Sequence, residues 1–407
     1  MNLLLKLAWR NLWRNKRRTL ITMASVFFAV VLASLMMSIK EGMYENMTRS
    51  MVASYTGFVQ IHANGYWEDK SLDESFEFTD SLRSTLDQNT KILGYVERIE
   101  SFALSATRES TKGAMVVGTD PIAEIQMTQL NERVIEGTYF EPDDKAILVG
   151  SGLADYHKVG VGDTLVLLGQ GYHGSNAAGK YPIKGIVKFG SPDLSKQLVM
   201  LPINEAQVLF GTEGTITNLI VLMEDAEEAT ALAGKLKSQV GEAYEVMAWP
   251  ELVPELVEMI EADRAEGYVF MFILYMVISF GIFGTVLMMM AERQHEFGVL
   301  VAVGMKRIKL AAVLLFEVVT ISLLGAFAGI FGAIPVTGYF YLNPIQIGGD
   351  EAGQMMEEYG IEPVIQASID PSIFIQQASI VAIVSCLIAI YPFIKVLNVN
   401  AIKAMRS

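Results

Sequence analysis

Four histidines and a single cysteine are the chain's whole supply of imidazole and thiolate metal ligands. His62, His157 and His173 are scattered without ligand spacing, and Cys386 lies inside an apolar run. A lone cysteine closes no intrachain disulfide, and a Cys/His zinc site is excluded by count. No serine–histidine–acid set and no helix-borne metal motif stands out. One stretch suggests nucleotide chemistry: Gly174-Ser-Asn-Ala-Ala-Gly-Lys-Tyr181 nearly fits G-x-x-x-x-G-K-[ST]. Its last position is tyrosine, so the hydroxyl that would hold magnesium is missing. Pro182 follows, where a helix N-terminus must face the phosphates. The segment therefore reads as a flexible loop. The chain is expected to bind no cofactor and no metal and to be no enzyme itself.

The remaining candidates are charges set among apolar residues. Ala291-Glu-Arg-Gln-His-Glu-Phe-Gly-Val-Leu-Val-Ala-Val-Gly-Met-Lys-Arg307 places Glu292, Arg293, His295 and Glu296 beside Phe297, Val299, Leu300 and Val303. Such a segment can seat its apolar side in a groove or on a bilayer and orient itself by charge-assisted hydrogen bonds. Gly298 permits close approach, and Gly304 helix termination. Glu317 is a lone acid within an apolar run, where a carboxylate is costly and commonly faces a partner or water. A proton-relay role for it lacks a second titratable residue within the spans. Gly325, Gly329 and Gly332 offer a small-residue face for close helix packing, within one subunit or between two. At the N-terminus, Trp9, Arg10, Trp13, Arg14, Arg17 and Arg18 suit an amphipathic helix whose rings and cations lie at a membrane interface.

These residues must be positioned by membrane spans. Hydrophobic residues make up 52% of the 407, and they concentrate in charge-poor runs. Four runs reach about 20 residues, enough at ~1.5 Å rise to cross a ~30 Å hydrocarbon core. The expected spans are 19–39, 268–291, 310–342 and 372–394. The first is too long for a cleaved signal core and is read as an anchor. Residues 1–18 carry six Lys/Arg and no acid, and the 292–309 loop carries Arg293, Lys306, Arg307 and Lys309. The 395–407 tail adds Lys395, Lys403 and Arg406, whereas residues 343–371 hold six acids and no Lys/Arg. The positive-inside rule then puts both termini in the cytoplasm and residues 40–267 outside.

Residues 40–267 hold 36 of the 45 acids against 18 Lys/Arg, which disfavours nucleic acid as a partner. They read as a mixed α/β domain. Runs at 58–62, 114–118, 146–150, 164–168 and 217–223 suit strands. Helices are expected after Pro202-Ile-Asn204 and from Asp225, with Ala229, Leu232, Ala233, Leu236 and Val240 on one face. Apolar stripes at Ile39, Met43 and Met47, and at Leu252, Leu256, Met259 and Ile260, extend the first two spans. They read as a paired stalk, or as two amphipathic helices packed on the domain.

The Glu292–Gly304 pattern resembles the coupling helix of FtsX-like ABC permeases, of the form E-R-x-x-E-[IF]-G-x-L-x-A-[IV]-G. Ala8-Trp-Arg-Asn-Leu-Trp-Arg-Asn-Lys-Arg-Arg-Thr19 resembles that family's N-terminal signature, and Tyr391-Pro392 with Asn400-Ala-Ile-Lys-Ala-Met-Arg406 its ending. Phe393, Ile394 and Asn400 depart from the usual residues there. Gly118-Thr-Asp-Pro121 and the stretch from Gly137 to Leu168 resemble the core domain of the MacB and lipoprotein-releasing permeases. The resemblance implies four transmembrane helices with a large MacB-core-like α/β domain between helices one and two. It also implies a bacterial inner-membrane location and a partnership with cytoplasmic ATPase subunits that use ATP and magnesium. A second permease subunit, identical or paralogous, completes the complex. ATP-driven motion would pass from 292–306 through the spans to the outer domain, for lipoprotein release. Efflux of a drug, peptide or toxin is the alternative within the class; MacB carries its ATPase fused at the N-terminus, whereas this chain starts with the anchor. FtsX-like control of a cell-wall hydrolase is a third reading. A lipoprotein and a periplasmic chaperone or adaptor are the further partners implied. The 343–371 loop has no assigned role.

Overall fold

A computed structural model of the chain describes residues 9, 10, 12–14, 16–189, 191–347 and 363–398. In chain order the elements that matter are α1 (Lys16–Thr48), β1 (Val59–Ala63), α2 (Tyr66–Asp69), β2 (Gly94–Ala106), β3 (Thr111–Thr119), α3 (Pro121–Thr128), β4 (Val134–Gly137), β5 (Ile147–Gly150), α4 (Ser151–His157), β6 (Thr164–Gln170), β7 (Asn176–Val187), β8 (Leu198–Pro202), α5 (Ile203–Phe210), β9 (Asn218–Leu222), α6 (Ala229–Val240), β10 (Tyr244–Ala248), α7 (Pro254–Glu292), α8 (Gln294–Ala302), α9 (Arg307–Leu342) and α10 (Pro371–Leu397). The described residues divide into a helical unit, drawn from Met1–Tyr44, Ile260–Gln346 and Val364–Ser407, and a mixed unit, drawn from Glu45–Met259 and Ile347–Pro363.

In the helical unit, α1, α7, α9 and α10 are the four described helices long and apolar enough to cross a membrane. Val26, Ala29 and Val30 of α1 meet Ile282, Val286 and Met289 of α7, Val318 and Ala326 of α9, and Ala378, Val381 and Ala389 of α10. Small residues let α9 lie close to α1: a Cβ on Gly325 would stand 2.8 Å from Val26 Cβ, and one on Gly329 2.7 Å from Val30 Cβ. A Cβ on Gly332 would meet the Phe27 ring at 2.6 Å. The glycine face is thus used between helices of one chain. Towards the other end of α1, Lys40 Nζ donates to Asp263 Oδ2 at 2.9 Å and Arg264 Nη2 to Glu41 Oε1 at 2.7 Å, tying α1 to α7. Gly42 leaves no room for a side chain beside Gln366–Ser368.

In the mixed unit, ten described strands form one sheet ordered β10-β1-β9-β2-β3-β8-β5-β7-β4, and β6 joins β7 back to β2. The ring β2-β3-β8-β5-β7-β6 therefore closes on itself. Closure removes strand edges within the ring, and the sheet's order ends at β10 and β4. Alternate residues Ala103, Val116, Val149, Leu165, Leu167, Ala177, Ile183 and Val199 fill the interior, with Leu209 and Phe210 of α5. The flap β10-β1-β9 buries Val59, Ile61, Leu219 and Val246 against Leu232 and Leu236 of α6.

Each of the five runs expected as strands coincides with one, and helices follow Pro202 and Asp225. Asp225 caps a short 3₁₀ turn, Ala226–Glu228, and the helix proper begins at Ala229. The loop expected at Gly174–Tyr181 is a correction: from Asn176 onward it is β7, antiparallel to β6 from Gln170↔Asn176 to Thr164↔Pro182. Ala177, Tyr181 and Ile183 turn inward while Ala178 and Lys180 stay exposed. Its glycine and small residues hide this period of two from a reader of composition. Asn400–Arg406 and residues 348–362 lie outside the described residues.

Candidate functional site

The candidate segment starts where α7 ends. Glu292 closes that helix, Arg293 leaves helical geometry at φ −102, ψ 3, and α8 carries the chain to Ala302. Gly304 follows at φ +105, in the left-handed region where a glycine avoids the Cβ clash. The Met305 N–H then reaches back to Leu300 O at 3.0 Å and completes the stop. Two helix ends thus bracket a nine-residue helix and fix which of its sides faces the bundle.

That inward side holds Phe297, 1% exposed, packed with Met290, Leu310, Ala311, Leu314 and Val396. Phe297 therefore belongs to the chain's own core and not to the outward apolar group expected of it. Gly298 is buried beside it. Val299, Leu300 and Val303 face outward, Val303 the most, at 82%. Glu292, His295 and Glu296 are exposed.

Arg293 also departs from expectation. It is buried, and its Nη1 donates to Glu317 Oε2 at 2.6 Å. Glu317 is fully buried on α9. Arg293 Nε reaches Glu296 Oε2 at 3.3 Å, and the Arg14 guanidinium bonds the same oxygen. Four charges of alternating sign, Arg14, Glu296, Arg293 and Glu317, thus run from the N-terminal segment through α8 into the bundle. Partial burial works to raise the Glu296 carboxyl, but hydrogen bonds from Arg14 and Arg293 outweigh it and hold the group below the usual glutamate range. An ionised Arg293 inside an apolar bundle is tolerable because Glu317 meets it directly. The sequence singled out both residues without pairing them, since 24 positions separate them.

Of the interface residues, Trp9 and Trp13 are half exposed with rings edge to face at 6.1 Å, and Arg10 and Arg17 are exposed. The side chain of Arg18 lies outside the described residues. Leu12 is buried, and Thr19 Oγ1 donates to its carbonyl at 2.8 Å, holding the segment to the start of α1. The structure brings Arg14 to the 292–304 segment. Sequence reasoning missed the α1–α7 tie of Lys40, Glu41, Asp263 and Arg264. Its signal was present, as opposite charges at matching ends of two apolar runs.

Comparison with known proteins gives consistent matches. Residues 19–239 match the MacB-like periplasmic core domain, and residues 268–401 match the FtsX-like permease C-terminal region. The lipoprotein-releasing system transmembrane protein LolC of Neisseria meningitidis is 21% identical over 325 residues, 78% of this chain and 74% of that protein. The pyoverdine export ATP-binding/permease protein PvdT of Pseudomonas entomophila is 24% identical over 369 residues, 84% of this chain and 53% of that protein. The crystal structure of the periplasmic region of MacB from Actinobacillus actinomycetemcomitans aligns with 51% of this chain and 94% of its own, at 14% identity and a TM-score of 0.35.

Proposed function

The chain belongs to the MacB/FtsX-like family of ABC transporter permeases, and from that premise we propose that it couples a separate cytoplasmic ATPase to work done by its own domain across the membrane. Both termini and α8 lie in the cytoplasm in this reading, supported by the Lys/Arg bias of residues 1–18 and 292–309. Two permease subunits pair and bind two ATPase subunits, which use ATP and magnesium. Exposed Val299, Leu300 and Val303 seat α8 on the ATPase. ATP-driven closure moves α8, and the spans carry the motion to the mixed α/β domain.

The observation that carries this reading is the chain Arg14–Glu296–Arg293–Glu317. It fastens α8 to the N-terminal segment and to α9, so α8 cannot shift alone without parting a buried ion pair. Glu296→Lys puts a third cation beside Arg14 and Arg293. It is expected to abolish co-purification of the ATPase; intact assembly with stimulated ATP turnover would refute the coupling role.

The substrate is read as a lipoprotein, supported by similarity to LolC across most of both chains. A chaperone or adaptor on the outer side would receive it. Similarity to PvdT supports a second reading, export of a small molecule. Photo-crosslinkers at exposed positions of the mixed domain separate the two, since only the first predicts capture of an acylated protein.

A further inference from the structure

The first long helix does not fray where it meets the sheet. Beyond α1 the backbone stays helical through the widened π turns of Arg49–Thr56 and stops at Gly57, φ +71. A Cβ there would lie 2.3 Å from Ile220 Cγ2, so glycine lets the helix end press directly on β9.

Arg98, on β2, is fully buried at this junction. Its Nη1 donates to Tyr55 O at 2.7 Å, and its Nε and Nη2 fork onto Glu124 of α3 at 3.0 and 2.6 Å. The guanidinium also sits 4.8 Å from the Tyr55 ring centre, and the Tyr55 hydroxyl donates to Glu100 at 3.0 Å. Thr119 and Thr128 complete the shell of Glu124, at 2.8 and 3.1 Å.

A helix C-terminus presents unpaired carbonyls and the negative end of its dipole. A guanidinium stays charged and offers a planar fork, so one side chain can bind that end and a carboxylate together. Drawing Tyr55 O away would cost the buried cation its short 2.7 Å hydrogen bond and leave Nη1 only the longer 3.5 Å contact with Glu100 Oε1. A π turn at the same spot marks backbone held out of its lowest-energy form by its surroundings.

We propose that Arg98 is the positioning residue that locks the π turns of Arg49–Thr56 to the sheet, so that these turns and the sheet move as one body. The purpose of the lock rests on the transmission reading above; the lock itself can be tested without nucleotide. In the full chain in lipid nanodiscs, with Cys386→Ser, spin labels replace exposed Arg49 and Leu93. A narrow distance distribution is expected. Arg98→Met with Glu124→Leu removes both charges at similar volume and should broaden it roughly twofold, as for a locally unfastened helix end. Equal widths would overturn the lock. Should the double variant fail to fold, hydrogen exchange of the unaltered chain decides. Amides around Val52–Gly57 should be protected to within about tenfold of those in β2, and exchange about a hundredfold faster would overturn the lock. Loss of ATPase recruitment alters neither readout, so each proposal can fail alone.

Discussion

Glu317→Gln removes one partner of a buried ion pair and leaves the other charged. Arg293 would keep its positive charge inside the bundle, with its 2.6 Å partner reduced to a neutral amide. Breaking such a pair from one side costs about 3–5 kcal/mol. Glu296 remains 3.3 Å away and, although its side chain is 45% exposed and partly screened, it still offsets some of the loss. The lower end, ~3 kcal/mol, is therefore expected, or about two orders of magnitude in the folded-to-unfolded ratio. Arg293→Met with Glu317→Leu abolishes both charges and both desolvation costs, and should return to within ~1 kcal/mol of the parent. Arg293→Met, Glu317→Leu and their combination form a thermodynamic cycle with an expected coupling of ~2 kcal/mol or more. The assay is unfolding of the purified chain in mixed micelles by rising SDS, followed by tryptophan fluorescence. A Glu317→Gln chain as stable as the parent would refute the reasoning, as would a double variant as weak as the sum of the singles.

The histidine buried in the flap should make stability depend on pH. Burial, aided by the nearby positive charge of Lys70, lowers the folded value of His62 to about 3. The unfolded chain takes up this proton below about 6.5 and the folded chain does not, so stability falls as pH drops from there towards 3, by at most ~1.4 kcal/mol per unit. His62→Phe keeps the contacts with Tyr66 and Trp67 and should flatten thermal-unfolding midpoints across that window; an unchanged profile sinks the assignment. In the bundle, Gly329→Ile drives a side chain into Val30 and the Phe27 carbonyl, at an expected cost of about 1–3 kcal/mol in the SDS assay. Gly338→Ala, which meets nothing within 4 Å, should be neutral or slightly stabilising. Equal losses from the two would show that close packing is not what Gly329 provides.

Much of the helical unit can be read along the chain. A run such as Ser372–Ile394 has no other reasonable fate, because an unbroken apolar helix is its cheapest way to satisfy the backbone away from water. The β-rich runs were legible for a similar reason: Ile147–Gly150 is buried on both faces and reads as continuous apolar sequence. By contrast, the barrel strands β2 and β7 were not. β2 interrupts its alternation with Arg98 and Glu100, and β7 is built from glycine, alanine and lysine. Their strand character comes from neighbours that pair with them.

For the candidate site, the sequence pointed to Arg293, Glu296, Glu317 and Gly325–Gly332 as residues out of keeping with their surroundings. That judgement needs only composition and spacing, because a charge or a bare backbone in an apolar run is conspicuous wherever it falls. Which way each faces was beyond it. Arg293 turns inward and Val303 outward because α7 breaks at Arg293 and Gly304 ends α8, and the rotation between two helix ends is set by packing. Pairing is likewise a property of distance in space. Arg14 meets Glu296 across 282 positions and Arg98 meets Tyr55 across 43, separations over which local pattern carries no information and only the folded chain decides.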